Sequence, residues 1–387
     1  MNHREFGRRF LAREFLYENG LNIPYPPAWA MAHAPFALLP ARVAMPLFFL
    51  LGATSLLGVL HLLRVVSRRA IPLSERAAFW TAVTAVVLAS RFLLRDFADG
   101  GQNTVLLGLT LAGFYLWTSN HAVSGGAALG LAIALKCTPA LLLLYFLWKR
   151  QWKIAAAAIA FALCFALLPA LWLGSRPFAK AATTWFHNVQ QTVSRADPSI
   201  GILGPEPIQN KALRPAFARY LMQLPPGHPG RFDSPAYVDF FRLSPREAQA
   251  VIGSFLLVLL ILAAWQFRTA VAERDTARMW WECAIVLLLM PLFSPISWGQ
   301  HFVAALPALY FAMRQLTAQQ RSSRGTLAAL AVFGLVVLGT NRALVGRDVS
   351  LLLESYHLVT LAALLLLGVA FTWHARRVAV ACPTSAR

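Results

Sequence analysis

Residues 122–148 read AVSGGAALGLAIALKCTPALLLLYFLW, and how often this run crosses a bilayer decides the fold. About 20 apolar residues suffice for one crossing, and this run is longer, with the cation Lys136 and Pro139 in its middle. Proline lacks a backbone donor and clashes with the preceding helical turn, so it favours a break there. Charge decides between one crossing and two. The loop carrying Arg64, Arg68, Arg69 and Arg76 is strongly basic and is assigned to the cytoplasm. Asp96–Gln102 then lies outside and Ser119–His121 inside. A single crossing by 122–148 would strand Lys149, Arg150 and Lys153 outside, against the positive-inside rule. Two short helices meeting at Lys136-Cys137-Thr138-Pro139 return them inside. The later basic groups Arg268/Arg274/Arg278, Arg314/Arg321/Arg324 and Arg376/Arg377 then also fall inside.

Worked outward from that break, the apolar runs predict an all-α polytopic membrane protein with about 11 transmembrane helices and a long outer loop. With 58% hydrophobic and 13% charged residues, the composition excludes an ordinary soluble domain. The net charge of +19 would suit a nucleic-acid binder. The basic residues, however, are scattered between runs of bilayer length, so no nucleic-acid partner is expected. The expected parts are an outer segment 1–40, a transmembrane half 41–174, an extracytoplasmic loop 175–247, a second transmembrane half 248–375 and a cytoplasmic tail 376–387. An outer N-terminus without a signal sequence implies a first helix missing upstream of Met1. The four cysteines form no CxxC pair and no set with metal spacing.

The polar residues gather at the outer helix ends. Asp96 and Asp99 precede Gln102 and Asn103 at a helix start; the plainer reading of Asp99 and Asn103 is helix capping. Lys136 is a cation in an apolar stretch, which is costly and usually functional unless it snorkels. Tyr25 sits among Pro24, Pro26 and Pro27 in an extended turn, and Ser294–His301 is a second turn broken by Pro and Gly. His301 is equally well read as structural. The 175–247 loop is expected to carry short interfacial helices near 180–191 and 211–222. Carboxylates, a lysine and a histidine on one face suit a lipid-phosphate substrate: the amine holds phosphate, helix N-termini add donors, and a carboxylate activates a hydroxyl.

These residues also carry a resemblance. Tyr25-Pro-Pro, Gly101-Gln102-Asn103 and the Gly-rich helix into Lys136 and Pro139 resemble the polyprenol-phosphate-dependent glycosyltransferases of family 87. Gln209-Asn210-Lys-Ala-Leu213 with Arg219 is similar to that family's Asn-Gln-Ser-Leu…Arg loop. Ser294-Pro-Ile-Ser-Trp298-Gly-Gln-His301 is similar to its Ser-Pro-x-Ser-Trp-x-His-His turn. The resemblance implies a GT-C type integral membrane enzyme of the plasma (inner) membrane, active on the extracytoplasmic face. Its donor would be a polyprenyl-phosphate sugar, with mannose typical, and its acceptor a glycan or glycolipid. It implies Tyr25, Gln102, Asn103, Lys136, Gln209, Asn210, Trp298 and His301 as substrate-binding residues. The family's key aspartate follows a first transmembrane helix, and this chain has neither before Asp96. Glu5 is the nearest substitute by position, so Glu5, Asp96 and Asp99 are the candidate catalytic acids. No cofactor and no metal site is expected, while dependence on a divalent ion stays open. A transporter or flippase, or an inactive lipid-binding relative, are the alternatives.

Overall fold

The computed structural model describes residues 3–18, 24–68, 70–201, 204–228, 231, 235–271, 276–318 and 324–381. Arg69, Arg274 and Arg321, used in the sequence reading, lie outside them. The helices are α1 (His3–Leu11), α2 (Pro27–Ala37), α3 (Ala41–Arg68), α4 (Glu75–Ala98), α5 (Gln102–Thr118), α6 (Ala122–Leu135) and α7 (Leu141–Trp148). Next come α8 (Trp152–Leu167), α9 (Pro169–Leu173), α10 (Ser175–Ser194), α11 (Leu213–Leu221), α12 (Pro245–Gln266) and α13 (Thr276–Phe293). The last are α14 (Leu306–Ala318), α15 (Arg324–Gly339), α16 (Arg342–Val345), α17 (Arg347–Ser355) and α18 (Leu358–Ala381). One two-residue strand pair, Ile200–Gly201 with Gly204–Pro205, interrupts the helices.

This is an all-α, multi-pass membrane protein. Among the described residues, five spans, α3, α4, α8 with α9, α12 and α13, are long and apolar enough to cross alone, and α17–α18, bent by 57°, could make a sixth. The expected eleven runs include helices such as α6, α7 and α15, which fall short of bilayer length. The most hydrophobic stretches of α3 and α12 are only 22% buried, whereas that of α13 is 83% buried. The first two turn apolar surface to lipid, and α13 is the axis around which the others pack.

The chain breaks at Lys136. α6 ends at Leu135, Lys136 is extended (φ −155°, ψ 123°), and a 3-10 turn over Thr138–Ala140 leads into α7. Packing shows why the chain must turn back here. A Cβ on Gly126 would meet Ala157 and Ala158, and one on Gly130 would meet Phe161 and Ala162, so α6 and α8 run parallel and nearly touch. Parallel neighbours require a return segment, and α7 is that segment. Its eight residues span roughly 12 Å against roughly 21 Å for α6, so the hairpin tip at Lys136 is set below the full thickness of a membrane.

Three basic residues of the loops assigned to the cytoplasm tie those loops to the helix ends. Lys149 Nζ donates to Thr269 O (2.8 Å), Arg278 to Ala270 O (3.0 Å) and Arg314 Nε to Ile71 O (2.9 Å). Glu282, wholly buried, accepts from Lys149 (2.9 Å) and from the Tyr145 hydroxyl (2.8 Å), pinning the end of α7 to α13. Two interruptions were not legible beforehand. The 1–40 segment holds helices α1 and α2, with α2 starting at Pro27, where proline suits a first helical position. The run 351–374 is broken at Tyr356–His357, where His357 takes φ +44° without help from Gly or Pro.

Candidate active site

The site is built on the α4–α5 corner. Gly100 and Gly101 adopt φ +99° and +71°, a conformation glycine enters without steric cost, and a Cβ on Gly101 would collide with Gly52 of α3. The corner brings Asp96 under the start of α5. Its carboxylate, fully buried, accepts from Asn103 N (3.1 Å), Asn103 Nδ2 (2.8 Å), Thr104 N (2.8 Å) and Thr104 Oγ1 (2.7 Å). Two orphan amides of α5, those of Asn103 and Thr104, are thereby satisfied by a side chain of the protein itself. Both Asp96 oxygens are spent, so its geometry is that of a positioning residue.

What Asp96 positions is Asn103, whose Oδ1 accepts from Lys136 Nζ at 2.8 Å. The amine also lies 6.0 Å from the ring centre of Tyr25, which stacks on Trp29 at 4.7 Å. Asn103, Lys136, Thr138, Ser297 and His301 line a small cavity of about 50 Å³. His301 Nδ1 accepts from Trp298 N (3.3 Å), while its buried Nε2 has no hydrogen-bond partner among the described residues.

The turn bearing His301 also borders a second cavity, of about 1000 Å³. Trp298, Gln300, Gln209, Arg91, Arg95 and Lys211 line it, together with Arg342, Arg347 and Glu354. Asp99 stands beside it: Gln300 Nε2 donates to Asp99 Oδ2 (2.9 Å), and Arg95 lies 3.5 Å away. Asp99 is half-buried, and its second oxygen receives no hydrogen bond among those between described residues.

Asn210 holds the 175–247 segment against this turn. Its Oδ1 accepts from Ser297 N (2.8 Å) and Ala212 N (3.2 Å), and its Nδ2 donates to Glu206 (2.8 Å) and to Pro295 O (3.2 Å). It is a clip between two loops. Lys211 completes it, donating its backbone N–H to Ser297 O (2.6 Å) and its amine to Glu354 (3.3 Å).

Burial pushes the Glu206 carboxyl up to about 7, against the Asn210 amide and the charges of Arg214 and Arg219, which pull it down. A carboxyl raised on folding holds its proton in the native state after the unfolded chain has lost it. Stability is therefore greatest below the unfolded value and falls as pH climbs from about 4.5 to about 7. Thermal melting of the detergent-solubilised protein across that window is expected to show this decline, and Glu206→Gln to flatten it. A Glu206→Gln profile as steep as the parent's would refute the assignment.

Of the predicted residues, the structure brings Asn103, Lys136, Tyr25 and His301 together with the supporting Asp96. It places Gln209 and Trp298 at the larger cavity, with Asp99 bonded to Gln300 of its lining. Gln102 opens α5 with its side chain half-buried and lines neither cavity. Glu5 stands apart on α1, gripped by Arg8 (2.8 Å) and Arg9 (3.2 Å) in a surface network with Glu14 and Glu18. Sequence reasoning missed Gln300, Arg91 and Glu354. Arg91 and Glu354 carried a signal, each being a charge inside an apolar run, and they pair at 2.7 Å.

Comparison with known proteins identifies the family. The sequence profile of glycosyltransferase family 87 matches residues 23–295. A polyprenol-phosphate-mannose-dependent alpha-(1-2)-phosphatidylinositol mannoside mannosyltransferase of Mycobacterium tuberculosis is 32% identical over 307 residues, covering 75% of this chain and 62% of that protein. Its namesake in Mycolicibacterium smegmatis is 31% identical over 319 residues, covering 76% and 63%. A pentamannoside mannosyltransferase of the same organism is 27% identical over 307 residues, covering 79% and 64%. The match thus spans less than two thirds of the length of these relatives. No solved structure matches. The family match takes in the Asn103 corner, Lys136 and the Asn210 clip and covers most of the sequence, and the chain belongs to glycosyltransferase family 87.

Proposed function

We propose that the protein transfers mannose from a polyprenyl phosphate to a hydroxyl of a glycolipid acceptor, at the outer face of the plasma (inner) membrane. The observation that carries this is the Lys136 amine, fixed 2.8 Å from Asn103 at a cavity that His301 also lines. A cation held at the hairpin tip, below the membrane surface, suits a phosphate whose ester is a lipid. The relatives are named for a polyprenol-phosphate-mannose donor and a phosphatidylinositol mannoside acceptor. Family membership favours a transferase over the transporter reading.

In this reading Asp99 takes the proton of the acceptor hydroxyl. The freed oxygen bonds to the anomeric carbon as the bond from that carbon to the phosphate oxygen breaks, inverting the centre. Polyprenyl phosphate leaves with the electron pair, and Lys136 offsets its charge in a site poor in water. Asp96 acts through Asn103, Tyr25 walls the amine, and the 1000 Å³ cavity receives the acceptor. The short hairpin α6–α7 counts as two of eleven crossings, with the basic loops cytoplasmic, 175–247 outside and 376–387 inside.

The test is transfer itself. Membranes containing the full chain, given radiolabelled polyprenyl phosphate mannose and phosphatidylinositol mannosides, are expected to yield a labelled, longer glycolipid. Absence of transfer from well-expressed protein overturns the reading.

A further inference from the structure

Resting on that reading, the charge of the cavity of about 1000 Å³ indicates what kind of acceptor it takes. Five cations line it, Arg91, Arg95, Lys211, Arg342 and Arg347, against one lining carboxylate, Glu354. Glu354 is divided between Arg91 (2.7 Å) and Lys211 (3.3 Å), and Arg95 lies 3.5 Å from Asp99. Arg342 and Arg347 are exposed, and neither side chain forms an ion pair or hydrogen bond with another described residue, Asp348 included. The wall that carries them is nevertheless held in place. Gly346, at φ +77°, turns the chain between α16 and α17, Asn341 caps α16 by accepting from Ala343 N (3.1 Å), and Ser350 Oγ donates to Thr340 O (3.0 Å). Arg91 also donates to Thr340 Oγ1, tying this wall to α4. Topology does not account for the two arginines: α15 separates them from the cytoplasmic group at Arg324, and the positive-inside rule asks for no cation beyond it.

We propose that Arg342 and Arg347 bind a phosphodiester carried by the acceptor glycolipid, so that the enzyme selects an anionic acceptor over a neutral one. A guanidinium presents paired N–H donors that match two phosphate oxygens, and it stays charged throughout the range in which the protein works. A cleft lined by one sign of charge also concentrates ligands of the opposite sign. The rest of the lining suits the sugars of such a molecule: Gln209 and Asn341 bring amide groups for hydroxyls, and Trp298 brings a flat apolar ring. Both arginines lie beyond residues 23–295, so the family match carries no information about them. The phosphate of the donor and the headgroup of a bulk phospholipid share this chemistry and are the competing sources.

Binding separates these sources and does not depend on transfer. The full chain, purified in a non-ionic detergent, is titrated with phosphatidylinositol mannoside, with a mannosyl diacylglycerol that lacks the phosphate, with phosphatidylglycerol and with undecaprenyl phosphate. Wild type is expected to bind the phosphatidylinositol mannoside about 10- to 100-fold more tightly than the neutral mannolipid, the scale of one or two charge-assisted hydrogen bonds. Arg342→Gln/Arg347→Gln is expected to erase that preference while leaving the neutral lipid and undecaprenyl phosphate bound as before. Arg342→Lys/Arg347→Lys keeps the charge without the fork and is expected to retain part of the preference. Equal affinity of wild type for the charged and neutral acceptors overturns the proposal, as does a folded glutamine variant that keeps the preference. Loss of undecaprenyl phosphate binding in that variant assigns the arginines to the donor, and phosphatidylglycerol competing as well as the mannoside assigns them to bulk lipid; either result also overturns it. If the preference holds but wild type transfers no sugar, the anion site stands and the transferase reading falls. Transfer without any charge preference leaves that reading and removes the site.

Discussion

Lys136→Ala is expected to lower kcat about 100- to 1,000-fold, the usual cost of deleting one fixed group that meets developing negative charge. The amine is held by Asn103 at 2.8 Å before any substrate arrives, so little reorganisation is needed when the phosphate begins to leave. Removing it abandons that stabilisation and leaves Asn103 Oδ1 without its donor. Because the charge on phosphate grows as the sugar bond breaks, kcat should suffer more than KM. Lys136→Arg tests geometry against charge. Its broader, forked head does not reproduce a point charge at the hairpin tip, and partial activity, between parent and alanine, is the expected result. Kinetics on purified enzyme decide the matter: an alanine variant within threefold of the parent removes Lys136 from the mechanism.

Asp99→Asn is expected to reduce kcat/KM by about 100- to 10,000-fold, the range for losing a general base. The substitution retains shape and the contact with Gln300 while removing proton affinity, so folding should survive it. Glu5→Gln is expected to stay within about threefold of the parent, since Arg8 and Arg9 occupy that carboxylate on the surface of α1. Parallel assays of the two variants choose between the acids; the opposite pattern, with Glu5 essential and Asp99 dispensable, would transfer the base to α1. Asp96→Asn belongs to a different class. Its effect is expected in protein yield and in the placement of Lys136, because the carboxylate caps α5 from a wholly buried position.

The hairpin at Lys136 was legible because two independent signals coincide in one short stretch: a proline that breaks a helix and a charge pattern that forbids a single crossing. The helices within the 175–247 segment were legible from composition, although α10 extends over Ser175–Ser194, beyond both ends of the expected 180–191. The bend at His357 was not, since it rests on tertiary packing around a residue with positive φ and has no local marker. The site shows the same division. Asp96 and Asn103 are seven residues apart, and a helix start advertises their contact. Asp99 and Gln300 are 201 residues apart, and Arg91 and Glu354 are 263 apart; only the fold makes these pairs neighbours. The catalytic promise of Asp96, read from its type and place, gave way to capping once its four hydrogen bonds were seen.

The ion pair that pins α7 also has a history in time. Lys149 is made 133 residues before Glu282. At about 5–20 residues per second a ribosome takes roughly 7–27 s to cover that interval. Throughout it the amine has no carboxylate, and the eight residues of α7 are too few to hold themselves across lipid. The hairpin tip that presents Lys136 is thus fixed late, when α13 emerges and threads between helices already made, and membrane insertion cannot proceed as a simple procession from first helix to last.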